Sequence, residues 1–360
     1  GVFPKIDLIT SPGSFFSNIK YQYLEYRNSG FYTLSKKEGY FIYRIKNMYG
    51  SHTGLLCTTD VSELTNGGIL KHEKTLAAKE QQMMHLLLQR KALVKPVLLG
   101  YNPTDNLTDY LKYLAKKKKP NIKVVFKNTK EEHLIWKIYD KADIQKITKS
   151  FSKLKRSYIG DGHHRSTTIA LLNASEDLGK EAEKYDKLLT GYFPFSELKI
   201  FDFNRVVDIT EIMPSSQFIA ELSKYFKIKQ LKKAEKPKTK HIVTFFIDNV
   251  WYEMEWKKKY LTKKNKEVLL DTDLINKLIF QDILNITDVR VDMRIKYYGG
   301  TEPIEKIVKQ SNKYNVGIGI CIYPVSTEEL TAIADQNKTL PPKSTWFMPR
   351  LKSGIIAKDL

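Results

Sequence analysis

The segment from Ser157 to Ala174 constrains the fold of this chain more than any other. It reads SYIGDGHHRSTTIALLNA, a β-forming run followed by a turn with two glycines and then a helix-forming run. Glycine lets the backbone turn sharply, because it lacks the side chain that disfavours positive φ. The pattern therefore predicts a strand, a tight turn and a helix that begins at about residue 165.

Helix- and strand-forming runs are interspersed along the rest of the chain, which predicts an α+β fold. Residues 40–46 and 53–59 are rich in β-branched and aromatic side chains and flank the turn-forming NMYGSH, so we expect a β-hairpin. Apolar side chains at helical spacing predict a helix over 75–91. The remaining predictions are strands or β structure at 94–101, 196–212, 241–247, 250–257 and 316–325, and helices at 142–154, 215–226, 272–284 and 327–336.

The length predicts more than one domain. The chain has 360 residues, and single hydrophobic cores stop growing at ~250–300 residues. The expected division is an N-terminal segment with the hairpin at 1–54, a mixed α/β core at 55–195 with an insert at about 103–140, an additional α+β domain at 196–340, and a tail at 341–360 that packs back on the core. A lysine-rich linker is expected at 227–240.

The net charge of +20, from 60 Lys and Arg against 40 Asp and Glu, raises the question of a nucleic-acid partner. Only nine of the basic residues are arginines, and the lysines concentrate at 116–119, 227–240 and 257–266. Base and phosphate recognition favours the guanidinium fork over the lysine point charge. Solvated loops are therefore the favoured interpretation of these runs, and contact with a polyanion stays as the alternative.

The two cysteines, Cys57 and Cys321, are too few for a disulfide scaffold or a four-cysteine zinc site. No apolar run approaches the ~18 residues of a membrane span. The N-terminal GVFPKIDLIT lacks the basic and then apolar pattern of a signal peptide. We therefore expect a cytoplasmic protein without a membrane partner.

The turn Gly160–Arg165 is the first candidate site. The first backbone N–H groups of a helix have no acceptor within the helix, and the dipole there is positive, so this position suits an anion. Arg165 adds a bidentate donor for phosphate, and His163 and His164 donate hydrogen bonds or move protons near neutral pH. Asp161 orients a histidine or holds a metal. A metal site and a purely structural turn are the alternatives.

The segment KHEKT at 71–75 is the second candidate. Glu73 is placed to act as a general base, with His72 as its helper. The alternative is that Glu73 and Thr75 cap the helix predicted to follow.

The C-terminal segment is the third candidate. It contains cations and hydroxyls, of which Lys343, Ser344 and Lys352 are candidate site residues, and large apolar side chains such as Trp346 that would anchor it. It either closes over a site or is simply a well-anchored terminus.

Five segments, in order along the chain, identify it as a member of the bacterial family known as domain of unknown function 1015. They are HTGLL at 52–56, KHEKT at 71–75, GDGHHR at 160–165, FNRVVD at 203–208 and PPKSTWFMPRLKSG at 341–354. The resemblance implies no established activity.

The order of a strand, an HE pair, a helix, a strand and DGHHR before a further helix also resembles the ParB/sulfiredoxin superfamily, over about residues 55–175. By motif the nearest member is an archaeal free-serine kinase that uses ADP. The resemblance implies a ParB/sulfiredoxin-like core in which Glu73 activates a substrate hydroxyl. It further implies a loop that holds nucleotide phosphates, formed by Asp161, Gly162, His163, His164, Arg165 and Ser166.

On this resemblance, the implied ligands are a nucleotide (ADP, ATP or CTP) and a small hydroxyl substrate such as serine. Any Mg²⁺ would be held mainly by the nucleotide. The insert at 103–140 and the C-terminal half have no counterpart in that superfamily.

Two other functions remain as competing hypotheses. A ParB-like protein that binds nucleotide or nucleic acid without kinase activity would use the positive charge, although no helix-turn-helix follows the core. A thiol-repair enzyme like sulfiredoxin needs a cysteine in the loop, where this chain has His163.

Overall fold

The chain folds into two units, each with its own central β-sheet. The computed structural model describes residues 1–262 and 268–360. The first unit comprises Gly1–Lys199 together with Pro349–Leu360, and the second comprises Ile200–Met348. Of the lysine-rich run expected at 257–266, residues 263–266 lie outside the described residues. The alternation of helices and strands in both units confirms the predicted α+β class.

The main sheet of the first unit has eight strands, in the spatial order β5-β10-β7-β11-β4-β3-β9-β8. Smaller pairings join β1 to β2 and β6 to β20. The strands of this unit are β1 (Val2–Pro4), β2 (Tyr32–Leu34), β3 (Tyr40–Asn47), β4 (Gly50–Asp60), β5 (Ile69–Leu70), β6 (Ala92–Leu93), β7 (Val97–Tyr101), β8 (Ile122–Phe126), β9 (Glu131–Ile138), β10 (Ser157–Asp161), β11 (Lys187–Pro194) and β20 (Lys358–Asp359). Its helices are α1 (Pro12–Asn28), α2 (Ala77–Arg90), α3 (Leu107–Lys117), α4 (Lys141–Phe151) and α5 (His163–Asn173).

The hairpin predicted near residue 50 is confirmed as β3 and β4, which pair antiparallel from Phe41 opposite Leu56 to Asn47 opposite Gly50. The segment expected as an insert at 103–140 contributes two strands to the same sheet, since β9 pairs with β3 and β8 pairs with β9. Its helix α3 packs Leu111 and Leu114 onto Ile42, Leu55 and neighbouring side chains of the sheet. The N-terminal 60 residues and the 103–140 segment are therefore integral parts of one core.

The candidate loop lies where β10 leads into α5. Strand β10 lies between β5, which it pairs with in parallel, and β7, which it pairs with antiparallel. The register with β7 shifts between Ile159 and Asp161, so the end of β10 departs from regular pairing just before the turn. Helix α5 packs against α2. These neighbours bring the segment after β5 and the segment before β7 close to the loop.

The second unit contains a six-stranded sheet in the order β14-β16-β15-β18-β13-β17, and a separate pair, β12 with β19. Its core includes Phe218, Phe245, Trp256, Phe280 and Ile320, each at most 1% exposed. The strands are β12 (Lys199–Phe201), β13 (Phe203–Asp208), β14 (Phe226–Gln230), β15 (Ile242–Ile247), β16 (Val250–Trp256), β17 (Ile295–Gly299), β18 (Gly317–Ile322) and β19 (Trp346–Met348), and the helices are α6 (Ser215–Leu222), α7 (Asp271–Leu274), α8 (Ile304–Ser311) and α9 (Thr327–Asp335).

One element prediction in the second unit was wrong. The expected linker at 227–240 begins with strand β14, an edge strand in which Lys227 and Lys229 lie opposite Glu255 and Glu253 of β16. Lysines are common on edge strands because their charge opposes further strand pairing. The helix predicted at 272–284 is confirmed, and it consists of the short α7 followed directly by a π-helical stretch, Ile275–Gln281.

The C-terminal residues 349–360 are well anchored in the first unit. Leu351, Ile355, Ile356 and Ala357 are all at most 3% exposed. Backbone pairing adds to this, because Ala357 exchanges two hydrogen bonds with Val2. This segment is therefore part of the core rather than a frayed end.

Replacing Leu351 by alanine should lower the free energy of unfolding by about 2–5 kcal/mol, since it removes a buried side chain and leaves a cavity. The matched control is Leu171→Ala, because Leu171 is 45% exposed and surface substitutions change stability by about 0.5 kcal/mol or less. Urea denaturation measures both. Equal effects of the two substitutions would contradict the packing of the C-terminal segment.

Candidate functional site

The turn between β10 and α5 has the backbone that the glycines predict. Gly162 has a φ of +111° and is the N-cap of α5. The helix begins at His163, two residues earlier than expected, and the Ser166 N–H donates to the Gly162 carbonyl at 2.9 Å. The Ser166 hydroxyl is fully buried and donates to the His163 carbonyl at 2.9 Å, so it stabilises the helix start.

The carboxylate of Asp161 is surrounded by three cations. Its Oδ2 lies 3.0 Å from Lys95 Nζ and 3.2 Å from Arg165 Nη2, and its Oδ1 lies 3.7 Å from Arg350 Nη2. Arg165 also donates to the Pro96 carbonyl at 3.2 Å. Asp161 was expected to orient a histidine or hold a metal, and the structure instead places its oxygens among these cations.

The cations keep Asp161 ionised despite its burial. Burial by itself would raise the pKa of this carboxyl, but Arg165, Lys95 and Arg350 lower it far below the ordinary value. The pKa of Lys95 is lowered, first by burial and then by the repulsion of Arg165. Three cations share one carboxylate, so the cluster keeps an excess of positive charge beside the N-terminus of α5.

The two histidines of the loop hold the HEKT segment in place. The His72 N–H donates to His163 Nε2 at 3.5 Å, and the Leu76 N–H donates to His164 Nε2 at 3.2 Å. The rings of His72 and His163 pack edge to face with centroids 4.5 Å apart. Both Nε2 atoms therefore accept hydrogen bonds from the backbone. If these rings donate hydrogen bonds to a phosphate, as expected from the sequence, they would do so through their Nδ1 atoms.

Burial keeps both rings of the His72–His163 pair neutral. His72 is 1% exposed and His163 is 5% exposed. Burial lowers the pKa of His72 to about 3. Burial and the neighbouring His72 lower the pKa of His163 well below its usual value. His72, expected to help a general base, is placed to position the loop rather than to exchange protons at neutral pH.

Glu73 lies beside this pair with a third of its side chain exposed. Its Oε2 is 3.9 Å from His163 Nδ1, beyond normal hydrogen-bond distance. Helix α2 has Leu76 at its N-cap and no side-chain cap, so the alternative in which Glu73 and Thr75 cap this helix was wrong. Lys71, just before, donates to the Thr167 hydroxyl at 2.9 Å and so joins this segment to α5.

The three candidates from the C-terminal segment lie in different places. Lys352 lies in the first unit, where its Nζ is 2.7 Å from Glu131 Oε2. Lys343 and Ser344 belong to the second unit, where the Ser344 hydroxyl donates to the Pro341 carbonyl at 2.7 Å. The residue of this segment that reaches the loop is Arg350, which the sequence analysis did not single out.

Lys95 was missed as well. The sequence contains a feature that could have indicated each of Lys95 and Arg350. Lys95 is the single charge in the apolar run ALVKPVLLGY, and Arg350 is one of only nine arginines. A charge inside an otherwise buried run usually has a partner. Neither signal indicates that the partner is Asp161, because that pairing is set by the sheet order and by the path of the C-terminal segment.

Two further observations concern the kind of site. Within residues 1–262 and 268–360, no group of three or more His, Cys, Asp and Glu side chains is arranged to hold a metal ion. In the same part of the chain, no helix combines the length and the apolar character needed to cross a membrane.

A sequence profile of the family described as protein of unknown function (DUF1015) matches residues 2–278. The chain belongs to this family. A search of curated protein sequences finds no match. The membership predicted from the five segments is thereby confirmed, while the resemblance to the ParB/sulfiredoxin superfamily stays a prediction.

Among solved structures, this family member is similar to a free serine kinase in complex with AMP, with 12% identity and a TM-score of 0.43 over 81% of this chain and 87% of that one. A conserved hypothetical protein from Pyrococcus furiosus matches with 11% identity and a TM-score of 0.42 over 85% and 94%. SbnI with a C-terminal truncation, from Staphylococcus aureus, matches with 12% identity and a TM-score of 0.41 over 83% and 85%. Similarity at this level carries no functional conclusion.

The Asp161 cluster predicts a specific pH dependence of stability. A carboxyl whose pKa is lowered on folding stabilises the folded protein fully above its unfolded pKa of ~4, and this contribution falls by up to about 1.4 kcal/mol per pH unit below that value. Asp161→Asn should therefore be destabilised at pH 7, and the difference from wild type should shrink as the pH falls from 5 to 3. Urea unfolding of both proteins across that range measures this, and a constant difference would contradict the ionised cluster.

A side chain at Gly162 would clash with its surroundings, whereas one at Gly67 would not. A Cβ on Gly162 would lie 2.6 Å from Arg165 Nη2, whereas a Cβ on Gly67, which also has a positive φ of +80°, would meet nothing within 4 Å. Gly67→Ala should cost about 1–2 kcal/mol for backbone strain alone. Gly162→Ala should cost more, because it also displaces the Arg165 guanidinium. Denaturant midpoints of the two variants compare these costs, and equal losses would contradict the packing of Arg165 over the turn.

Proposed function

We propose that this protein is a nucleotide-dependent phosphotransferase that acts on a small, serine-like hydroxyl substrate. The GDGHHR loop would bind the phosphates and Glu73 would act as the general base. The observation that supports the proposal is the arrangement of Lys95, Arg165 and Arg350 around Asp161 at the start of α5.

The charge of the cluster suits a polyphosphate. Asp161 balances one of its three cations, and the remaining excess lies next to backbone N–H groups at the positive end of the α5 dipole. Arginine and lysine are the side chains that usually hold transferring phosphates, and stabilisation of the developing charge is the main part of such catalysis. Asp161 would fix the cations in position before the ligand arrives.

Glu73 meets the requirements for a base better than the histidines do. Its carboxylate is a third exposed, so a substrate hydroxyl has access to it, and neutral His163 beside it provides no full positive charge to lower its basicity. In the proposed reaction, Glu73 takes the proton of the hydroxyl as its oxygen attacks the terminal phosphorus. The bond from that phosphorus to the bridging oxygen breaks, and the shortened nucleotide leaves with the electron pair.

The histidines would position this base. Because His163 and His164 accept bonds from the backbone at residues 72 and 76, they fix the HEKT segment relative to the helix start. His72 supports His163 through ring packing. Any Mg²⁺ would be brought by the nucleotide, since the described residues offer no cluster of carboxylates to hold one.

Glu73→Gln should lower kcat for phosphoryl transfer from ADP or ATP to serine by about 10²–10⁴-fold, the usual contribution of a general base. Nucleotide binding should be retained, because the cation cluster is untouched. Arg350→Gln should instead weaken nucleotide binding. Transfer is followed as phosphoserine formed, and binding by calorimetric titration.

The control is Glu181→Gln, which removes an exposed carboxylate paired with Lys184 and should leave both measurements unchanged. Full activity of Glu73→Gln would exclude the proposed base. Binding of nucleotide without transfer to serine in wild type would favour the alternative of a ParB-like binding protein. Absence of nucleotide binding in wild type would exclude the phosphotransferase and a ParB-like nucleotide-binding protein alike.

A further inference from the structure

A cavity of about 90 Å³ lies in the first unit, behind the cation cluster. Helix α2 forms one wall with Met83, Leu86 and Leu87, and β6 and β7 with the segment between them form another. Helix α5 contributes Arg165 and Ile169. The aliphatic side chains give the cavity a mainly apolar surface.

Four basic residues also line the cavity, namely Lys20, Arg90, Lys95 and Arg165, of which Lys20 is exposed. Within the described part of the chain, none of its lining residues is acidic. Lys95 and Arg165 share Asp161. Arg90 has no carboxylate partner there, because its guanidinium donates only to the carbonyls of Ala92 at 2.8 Å and Lys20 at 3.1 Å.

The positive charges of Arg90 and Arg165 therefore repel each other at the apolar cavity. Arg90 is 7% exposed, and burial, followed by the repulsion of Arg165, lowers its pKa to about 10. The Nε of Arg165 is buried without a hydrogen-bond partner among the described residues. A buried donor without an acceptor and the repulsion between two guanidinium groups both favour an anion in this cavity.

The volume limits what the anion can be. A cavity of ~150 Å³ holds one benzene molecule, which has six non-hydrogen atoms, so 90 Å³ accommodates about four, the size of a carboxylate with two or three carbons. We propose that this cavity binds a short aliphatic carboxylate, with the carboxylate between Arg90 and Arg165 and the carbon chain against Leu87, Val94 and Ile169. A planar carboxylate matches the guanidinium forks, and the aliphatic walls favour a carbon chain over a bare inorganic anion.

The site is distinct from the proposed phosphate site, although Arg165 contributes to both. It requires neither a nucleotide nor Glu73. Glu73→Gln should therefore bind the carboxylate as wild type does, whatever the outcome of the phosphotransfer assays.

The test is a titration of the full chain with propionate in nucleotide-free buffer, followed by NMR of labelled Leu, Val and Ile methyl groups. Propionamide, which has the same size and shape but no charge, is the control ligand. Propionate should cause saturable shifts centred on Leu87, Val94 and Ile169 and bind at least tenfold more tightly than propionamide. Equal binding of the two ligands, or shifts centred elsewhere, would overturn the proposal.

Matched substitutions on α2 test the location. Met83 and Leu86 line the cavity and are half-buried, whereas the half-buried Met84 does not line it. Met83→Trp should fill the cavity and weaken propionate binding at least tenfold, while Met84→Trp should bind normally. Leu86→Trp provides a second filling variant if Met83→Trp does not fold.

Arg90→Gln tests the charge, because the amide can retain a bond to a neighbouring carbonyl but carries no positive charge. It should weaken propionate binding at least tenfold and leave propionamide binding unchanged. Unchanged propionate affinity in Arg90→Gln and in the filling variants would overturn the proposal. Tighter binding of inorganic phosphate than of propionate at these methyl groups would likewise overturn the choice of a carboxylate.

Discussion

The interaction on which the candidate site depends is the ionised Asp161 carboxylate among Lys95, Arg165 and Arg350. A buried charge is tolerated only when nearby charges and hydrogen bonds compensate its loss of hydration. Here the compensation comes from three separate parts of the first unit: the segment before β7, the start of α5, and the C-terminal residues. The geometry of the loop is therefore tied to the packing of residues 349–360, because Arg350 reaches Asp161 only when that segment is in place.

Charged and neutral side chains have different roles around the Asp161 cluster. The neutral rings of His72 and His163 pack beside the cations without adding to their mutual repulsion, and they hold the HEKT segment through backbone hydrogen bonds. Glu73 projects from that segment and retains partial exposure. The cations at the start of α5 and the partly exposed Glu73 carboxylate are the two features from which we propose general-base phosphoryl transfer. Arg90 adds a further positive charge at the apolar cavity, which Lys95 and Arg165 also line.

Local features were predictable and non-local ones were not. The β3–β4 hairpin and the turn into α5 depend on residues that are adjacent in the sequence, so turn residues and side-chain periodicity indicated them. The strand at Phe226–Gln230 has the sequence of a linker, because the partners of its lysines, Glu253 and Glu255, become apparent only when β14 pairs with β16. Helix α1 was not predicted at all, although Phe16, Ile19 and Tyr23 recur on its buried face. The role of Arg350 could not be predicted, because it depends on contacts between residues almost 200 positions apart.

Three properties could be predicted from the residues alone: the family, the α+β class, and the turn in which Gly162 precedes two histidines and an arginine. Those properties follow from motif order, from side-chain periodicity and from the freedom of glycine at positive φ, all of which act over short stretches of chain. Only the tertiary structure decided which side chains surround Asp161, and that His72 and His163 are buried and neutral. The tertiary structure also places Arg90 and Arg165 in the lining of one cavity. These properties depend on burial and on the distances between charges, and both are set by the order of strands in the sheet and by the return of the C-terminal segment to the first unit.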